Sequence, residues 1–198
     1  MLNAPENTLA AFKAAFSDGA DAVECDIRRT ADGQFVAFHD ALSGRVCGHN
    51  WKIAETSWPH LKSLRVLGKE PIPHLDDILN LMILRPAREF YFEMALEKEA
   101  DAADLALQIK RAGVQSRAFL LAFSRRRKFL AAARAAVPGI GLAVMPLFLP
   151  ICWARRRRPG PRRSAPAGSA GRWQNSFFIS AQPPSILKSR RRPPPSPE

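Results

Sequence analysis

Glu24 and Asp26 are separated by a single residue in the run Ala22-Val-Glu-Cys-Asp-Ile-Arg28. In an extended segment that spacing puts both carboxylates on one side and Val23, Cys25 and Ile27 on the other. Two like charges on a face turned toward protein are costly unless paired, and a divalent cation removes the cost. Carboxylate oxygens suit magnesium, calcium or manganese. His39 lies 15 positions beyond Glu24 and is followed by Asp40, and Glu93 interrupts the aromatic run Phe90-Tyr-Phe-Glu-Met-Ala95. Taken singly, each has a plainer reading: a solvated edge strand for the acidic pair, a capping or packing role for His39, a basic partner for Glu93. Taken together, carboxylates from separate strands with a histidine beside them describe the mouth of a (β/α) barrel, where sites of that fold sit.

The elements needed to position these groups are visible as periodicities. Leu9, Phe12 and Phe16 recur at helical spacing behind Asn7 or Thr8 as N-cap, giving a helix that ends near Gly19. Residues 22–28 and Phe35–His39 read as strands joined through the turn signal Asp32-Gly33. Residues 41–74 are a mixed connection with local helix. A short helix follows over Leu75–Leu84, with Asp76 and Asp77 in its favourable first turn. A third strand covers residues 90–95, with Tyr91, Glu93 and Ala95 on one face. Further on come a helix over 99–112 stopped by Gly113, a strand over Ala118–Phe123, an alanine-rich helix over Arg125–Ala136 and a strand over Ile140–Met145. This alternation predicts an α/β fold with parallel strands.

Charge divides the chain. Of its 198 residues, 1–150 carry 19 Lys+Arg against 17 Asp+Glu, whereas 151–198 carry 11 against 1 and hold 9 of the 17 prolines. The first 150 residues therefore read as a near-neutral folded unit and 151–198 as a basic, low-complexity tail predicted to be disordered. Arg155–Arg158 and Arg190–Arg192 leave three readings of that tail: an arm for nucleic acid, attachment to an anionic membrane surface, or a stretch translated in a shifted frame. Cys25, Cys47 and Cys152 lack metal-ligand spacing and disfavour a disulfide framework. No signal peptide is visible, which predicts a cytoplasmic protein. The apolar stretch Val137–Trp153 is shorter than the roughly 20 residues of a spanning helix and is interrupted by Pro138, Gly139, Gly141, Pro146 and Pro150.

Pro5-Glu6-Asn7-Thr8, Gly19-Ala-Asp-Ala-Val-Glu24-Cys-Asp26, Thr30-Ala-Asp32-Gly33 and Val36-Ala-Phe-His39-Asp40 follow one another in an order that resembles the glycerophosphodiester phosphodiesterase family. Ile72-Pro73-His-Leu75 and Phe92-Glu93-Met continue the resemblance, which covers about residues 3–146. It implies a TIM barrel and metal-dependent hydrolysis of a small-molecule glycerophosphodiester to glycerol 3-phosphate and an alcohol. It also implies one divalent cation, Mg2+ or Ca2+ with Mn2+ possible, held by Glu24, Asp26 and Glu93. His39 would act in acid/base transfer, and Glu6 and Asn7 would contact substrate. No specific nucleic-acid partner and no transmembrane segment are implied; the alternative is a non-enzymatic degenerate barrel whose basic tail binds nucleic acid or membrane.

The chain departs from that pattern. The family's His-Arg-Gly motif, upstream of Pro-Glu-Asn-Thr, is absent before Met1-Leu-Asn-Ala-Pro5, and Ala95 stands where a lysine is usual. His49, His60 and His74 lie in the connection and read as loop or packing residues. Five strands are counted where the closed fold has eight, so an incomplete barrel of impaired activity is expected. The link between Asp26 and His39 is too short for a helix, and Asp32-Gly33 permits an antiparallel hairpin that would place His39 at the wrong end of the sheet. The resemblance favours the parallel arrangement.

Overall fold

The computed structural model describes residues 4–145. Helix α1 (Leu9–Ser17) starts at Thr8, whose Oγ1 accepts from Ala11 N at 3.2 Å and donates to Pro5 O at 2.7 Å. Strand β1 (Ala22–Arg29) and the three-residue β2 (Phe35–Ala37) follow. The connection contains two four-residue helices, α2 (Gly44–Cys47) and α3 (Trp58–Leu61), and a two-stranded ribbon of β3 (Arg65–Val66) and β4 (Glu70–Pro71). Beyond it the order is α4 (Leu75–Leu84), β5 (Glu89–Met94), α5 (Glu99–Arg111), β6 (Ala118–Phe123), α6 (Arg127–Ala136) and β7 (Gly141–Met145). The ribbon is the element that the sequence did not announce, its strands being too short to carry a period.

The main sheet has the order β2-β1-β5-β6-β7, with β1, β5, β6 and β7 mutually parallel. Its two faces differ as the period-two pattern predicts. Cys25, Ile27, Phe90, Phe92, Ala118 and Leu120 are fully buried on the side covered by helices. On α1, Phe12 and Phe16, one helical turn apart, meet Phe90 edge-on at centroid distances of 6.4 and 5.5 Å. Truncating a buried phenylalanine such as Phe90 to alanine costs about 3–5 kcal/mol. A second core, with Val36, Phe38, Ile53, Leu61 and Ile72, lies under the connection. The opposite face of the sheet carries Glu24, Asp26, Tyr91 and Glu93. The four parallel strands and the helices on their outer face correspond to part of a (β/α) barrel.

One expectation is overturned. β2 pairs with β1 antiparallel, with Ile27 opposite Ala37 and Arg29 opposite Phe35. A parallel return needs a crossover of a dozen or more residues, and only residues 30–34 separate the two strands. Thr30 N donates to Gln34 O at 2.9 Å and Gln34 N to Thr30 Oγ1 at 2.9 Å, and Gly33 adopts φ +83°, a left-handed conformation open to glycine. The hairpin does not remove His39 from the site. Phe38 N donates to Asp26 O at 2.9 Å, so the returning chain brings His39 back beside the middle of β1, where the carboxylates are.

Among the described residues no helix is long and apolar enough to cross a membrane. The described part of Val137–Trp153 forms a turn and β7, and the remainder of that stretch lies outside the described residues. The readings of 151–198 as a disordered, nucleic-acid-binding or membrane-binding tail also fall outside them.

Candidate metal centre and its histidine

Glu24, Asp26 and Glu93 each offer a carboxylate oxygen, and the three oxygens lie within 4.8 Å of one another. The local cause is register. Asp26 on β1 stands directly beside Glu93 on β5, and Glu24 precedes Asp26 by one full pleat on the same face. Asp26 is buried, Glu93 is half-buried and Glu24 keeps contact with solvent. Surrounding protein and the adjacent Asp26 and Glu93 charges push the Glu24 pKa from its ordinary 4.5 up to about 8. Glu93 is raised by burial and then by Asp26, with His39, Arg28 and Arg126 acting in the opposite direction.

The donor set fits a hard divalent cation. Oxygens bound to one ion at about 2.0–2.6 Å stand at most about 5 Å apart, which the 4.8 Å cluster satisfies. All three donors are carboxylates. The nearby Cys25 sulfur is fully buried on the other face, and burial holds its thiol protonated, well above its ordinary pKa. Soft thiolate coordination is therefore foreign to the cluster.

Asn7 holds the central carboxylate of the cluster. Its Nδ2 donates to Asp26 Oδ2 at 2.8 Å, and its Oδ1 accepts from Asp26 N at 3.0 Å. Asn7 adopts φ +53°, a conformation that asparagine tolerates better than most residues. This places it as a positioning residue on Asp26. Glu6, its neighbour, forms an ion pair with Arg45, which in turn pairs with Asp40. Asp40 Oδ1 lies 2.7 Å from His39 Nδ1. That hydrogen bond raises the His39 pKa above its ordinary 6.5, with Asp26 and Glu6 adding to the effect and desolvation opposing it.

Three basic residues that the sequence reading did not single out surround this assembly. Arg45 carries the Glu6–Asp40 link. Arg28, two positions beyond Asp26, donates to His39 O from Nε at 3.0 Å and Nη2 at 2.6 Å. Arg126 donates to Met94 O at 3.0 Å and to Leu96 O. Arg28 was legible, because it shares the period-two face of Glu24 and Asp26. Arg126 and Arg45 arrive through long-range packing and leave no local signal. The other histidines have the loop roles expected of them. His74 caps α4 by accepting from Asp76 N at 3.2 Å, and its N–H is held by Asp77 Oδ2 at 3.0 Å. His60 bonds Ser57, and His49 packs against Trp51.

Comparison with known proteins agrees with this architecture. An Oleispira antarctica phosphodiesterase solved with the product sn-glycerol-3-phosphate superposes with a TM-score of 0.65 at 26% identity, covering 76% of this chain and 64% of that one. A glycerophosphodiester phosphodiesterase from Agrobacterium tumefaciens gives 0.62 at 24% identity, covering 71% and 61%. In sequence, the glycerophosphodiester phosphodiesterase of Caldanaerobacter subterraneus is 33% identical over 87 residues, which is 40% of this chain and 36% of the relative. A relative from Bacillus altitudinis of the same description is 31% identical over 90 residues, 42% and 37%. The chain thus spans little more than a third of the length of these curated relatives, and its fold is that of part of a TIM-barrel phosphodiesterase. Residues 2–136 match the family model described as the glycerophosphoryl diester phosphodiesterase family, and the chain belongs to that family.

Proposed function

We propose that this chain's site hydrolyses glycerophosphodiesters to glycerol 3-phosphate and an alcohol, with Glu24, Asp26 and Glu93 holding one Mg2+, Ca2+ or Mn2+ ion and His39 moving the proton. The observation that carries the reading is the convergence of three carboxylate oxygens within 4.8 Å beside an imidazole held by Asp40. A bound divalent cation would polarise the phosphoryl oxygens and lower the pKa of an attached hydroxyl.

The protein's own groups supply the rest. Asp40 accepts from Nδ1 of His39 and so favours the tautomer that leaves Nε2 for proton exchange. With its pKa raised by the same contact, His39 is a better proton reservoir near neutrality and can protonate the departing alkoxide as the phosphorus–oxygen bond breaks. Arg45 keeps Asp40 ionised and oriented. Asn7 keeps Asp26 pointing into the cluster.

The test is direct. The full chain is titrated with Mg2+, Ca2+ and Mn2+ by calorimetry and incubated with glycerophosphocholine while glycerol 3-phosphate is measured. Metal uptake lost in Asp26→Asn and Glu93→Gln, together with turnover abolished by chelator and by His39→Ala, supports the reading. A folded chain that takes up none of the three ions overturns it.

A further inference from the structure

Two guanidinium groups converge on one short stretch of backbone immediately beyond Glu93. Arg28 leaves β1 on the face that carries Glu24 and Asp26, grips His39 O with Nε and Nη2, and reaches Ala95 O with Nη1 at 3.5 Å. Arg126 comes from the turn after β6 and holds the carbonyls on either side of the same residue, Met94 O at 3.0 Å and Leu96 O. Its guanidinium also lies 4.6 Å from the centre of the Phe129 ring, which restricts its swing. The Ala95 side chain between the Met94 and Leu96 carbonyls is a single methyl.

These contacts orient the two cations without exhausting them. A guanidinium has five N–H donors. The backbone carbonyls engage three on Arg28 and two on Arg126. Among the described residues neither arginine forms an ion pair with a carboxylate. Two neighbouring positive charges repel; Asp26, Asp40 and Glu93 are the carboxylates whose charge acts on Arg28, and Glu93 feels both arginines. Once a divalent cation sits on that triad, the local balance turns positive and an oxyanion becomes the complementary ligand. The planar fork of arginine is suited to phosphate, and anchoring by carbonyls removes much of the rotamer freedom that binding would otherwise have to freeze.

We propose that Arg28 and Arg126 form a phosphoryl clamp, their remaining N–H groups receiving non-bridging oxygens of a phosphate ester whose other oxygens face the triad. This rests on the reading of the triad as a phosphodiester site and adds to it which residues of this chain hold the phosphate. The recognised chemistry is a tetrahedral phosphate dianion or monoanion, free or esterified to glycerol.

The experiment is calorimetry of the full chain in saturating Mg2+, titrated separately with inorganic phosphate and with glycerol 3-phosphate, for the wild type and for Arg28→Gln, Arg126→Gln, Arg28→Lys and Arg126→Lys. Loss of a charge-assisted arginine–phosphate contact is expected to weaken both ligands about ten- to a hundredfold in each Gln variant. The Lys variants, which keep charge but lose the fork, should fall between. Mg2+ uptake measured on the same samples reports whether the triad is intact. If a Gln variant no longer takes up Mg2+, the Lys variant at that position decides, and wild-type phosphate affinity there overturns the clamp. Unchanged affinity in both Gln variants with normal Mg2+ uptake overturns it as well, and so does a wild type that binds neither ligand. Arginine-dependent binding in a chain that releases no choline from glycerophosphocholine leaves the clamp standing and removes the hydrolytic reading. Hydrolysis at wild-type KM in both Gln variants does the reverse.

Discussion

Asn7 and Asp26 are joined by a reciprocal pair of hydrogen bonds, in which the carboxamide of Asn7 donates to the Asp26 carboxylate and accepts from the Asp26 backbone N–H. The residues are 19 positions apart, and the pairing ties the turn before α1 to the middle of β1. It spends one lone pair of Asp26 Oδ2 on a neutral donor and leaves the rest of the carboxylate for the cluster of acids. The left-handed backbone of Asn7 is the conformational cost of that aim.

Removing the carboxamide should therefore loosen the cluster before it unfolds the chain. Asn7→Gly keeps a residue content with φ +53° and deletes the two hydrogen bonds, so any loss isolates the side chain from backbone strain. Outer partners of metal ligands are commonly worth about 10–100-fold in affinity. Mg2+ or Ca2+ affinity in Asn7→Gly is expected to fall in that range by calorimetry, and an affinity within twofold of wild type would show that Asp26 needs no help.

Glu24 sets a pH dependence whose sign can be worked out. Its pKa is about 8 in the folded chain against an ordinary 4.5, so the folded state binds the proton more tightly than the unfolded one. The associated stability is fully present below about pH 4.5, declines as pH rises, and is gone above about pH 8. A divalent cation held by the three carboxylates would compete with that proton and replace it as the charge partner. Thermal melts with and without Ca2+ between pH 5 and 9 should show a metal-induced rise in Tm that grows with pH. A rise of constant size across that range would mean that Glu24 does not ligate the ion.

The helices and the parallel strands were legible because each repeats a period over enough residues to be counted. Leu75–Leu84 and Ala118–Phe123 have in the structure the bounds that their apolar spacing predicts. The direction of β2 was not legible in the same way. A period of two says which side chains share a face and nothing about which way the strand runs; that information lies only in the Thr30–Gln34 link, which is too short for a crossover. The site divides along the same line. Glu24, Asp26 and Arg28 share a face by local spacing, whereas the approach of Glu93 depends on the β1–β5 register and that of Arg126 on a turn 98 positions from Arg28.

Asp40 should prove to be the group that holds the His39 pKa above its ordinary value. Asp40→Asn removes the charge behind the 2.7 Å contact while keeping a side chain of the same shape. The His39 imidazole, followed by NMR, is then expected to titrate lower than in wild type. The raised pKa favours the fold below about 6.5, and the benefit disappears as pH climbs through the folded value. The variant should accordingly lose more stability at pH 5.5 than at pH 9. Coincident titration curves in the two proteins would detach Asp40 from His39.

Gly141 tests whether the acid-bearing face of the sheet is packed as firmly as the helical one. Phe119 on β6 stacks on Tyr91 of β5 at 4.7 Å and 11°, and its ring occupies the space that a side chain at position 141 on β7 would need. A Cβ there would stand 2.5 Å from Phe119 Cδ1 and 2.8 Å from Ala118 O. Glycine within a strand is otherwise a liability of about 0.5–1 kcal/mol relative to alanine, so without the clash Gly141→Ala would stabilise. The overpacking is expected to reverse that sign and cost about 1–3 kcal/mol in urea denaturation. In a Phe119→Ala background the ring contact is gone and the backbone contact remains, so part of the loss should be recovered. An equal cost in both backgrounds would place the obstruction wholly on the Ala118 carbonyl and leave the aromatic stack without a role in excluding a side chain from position 141.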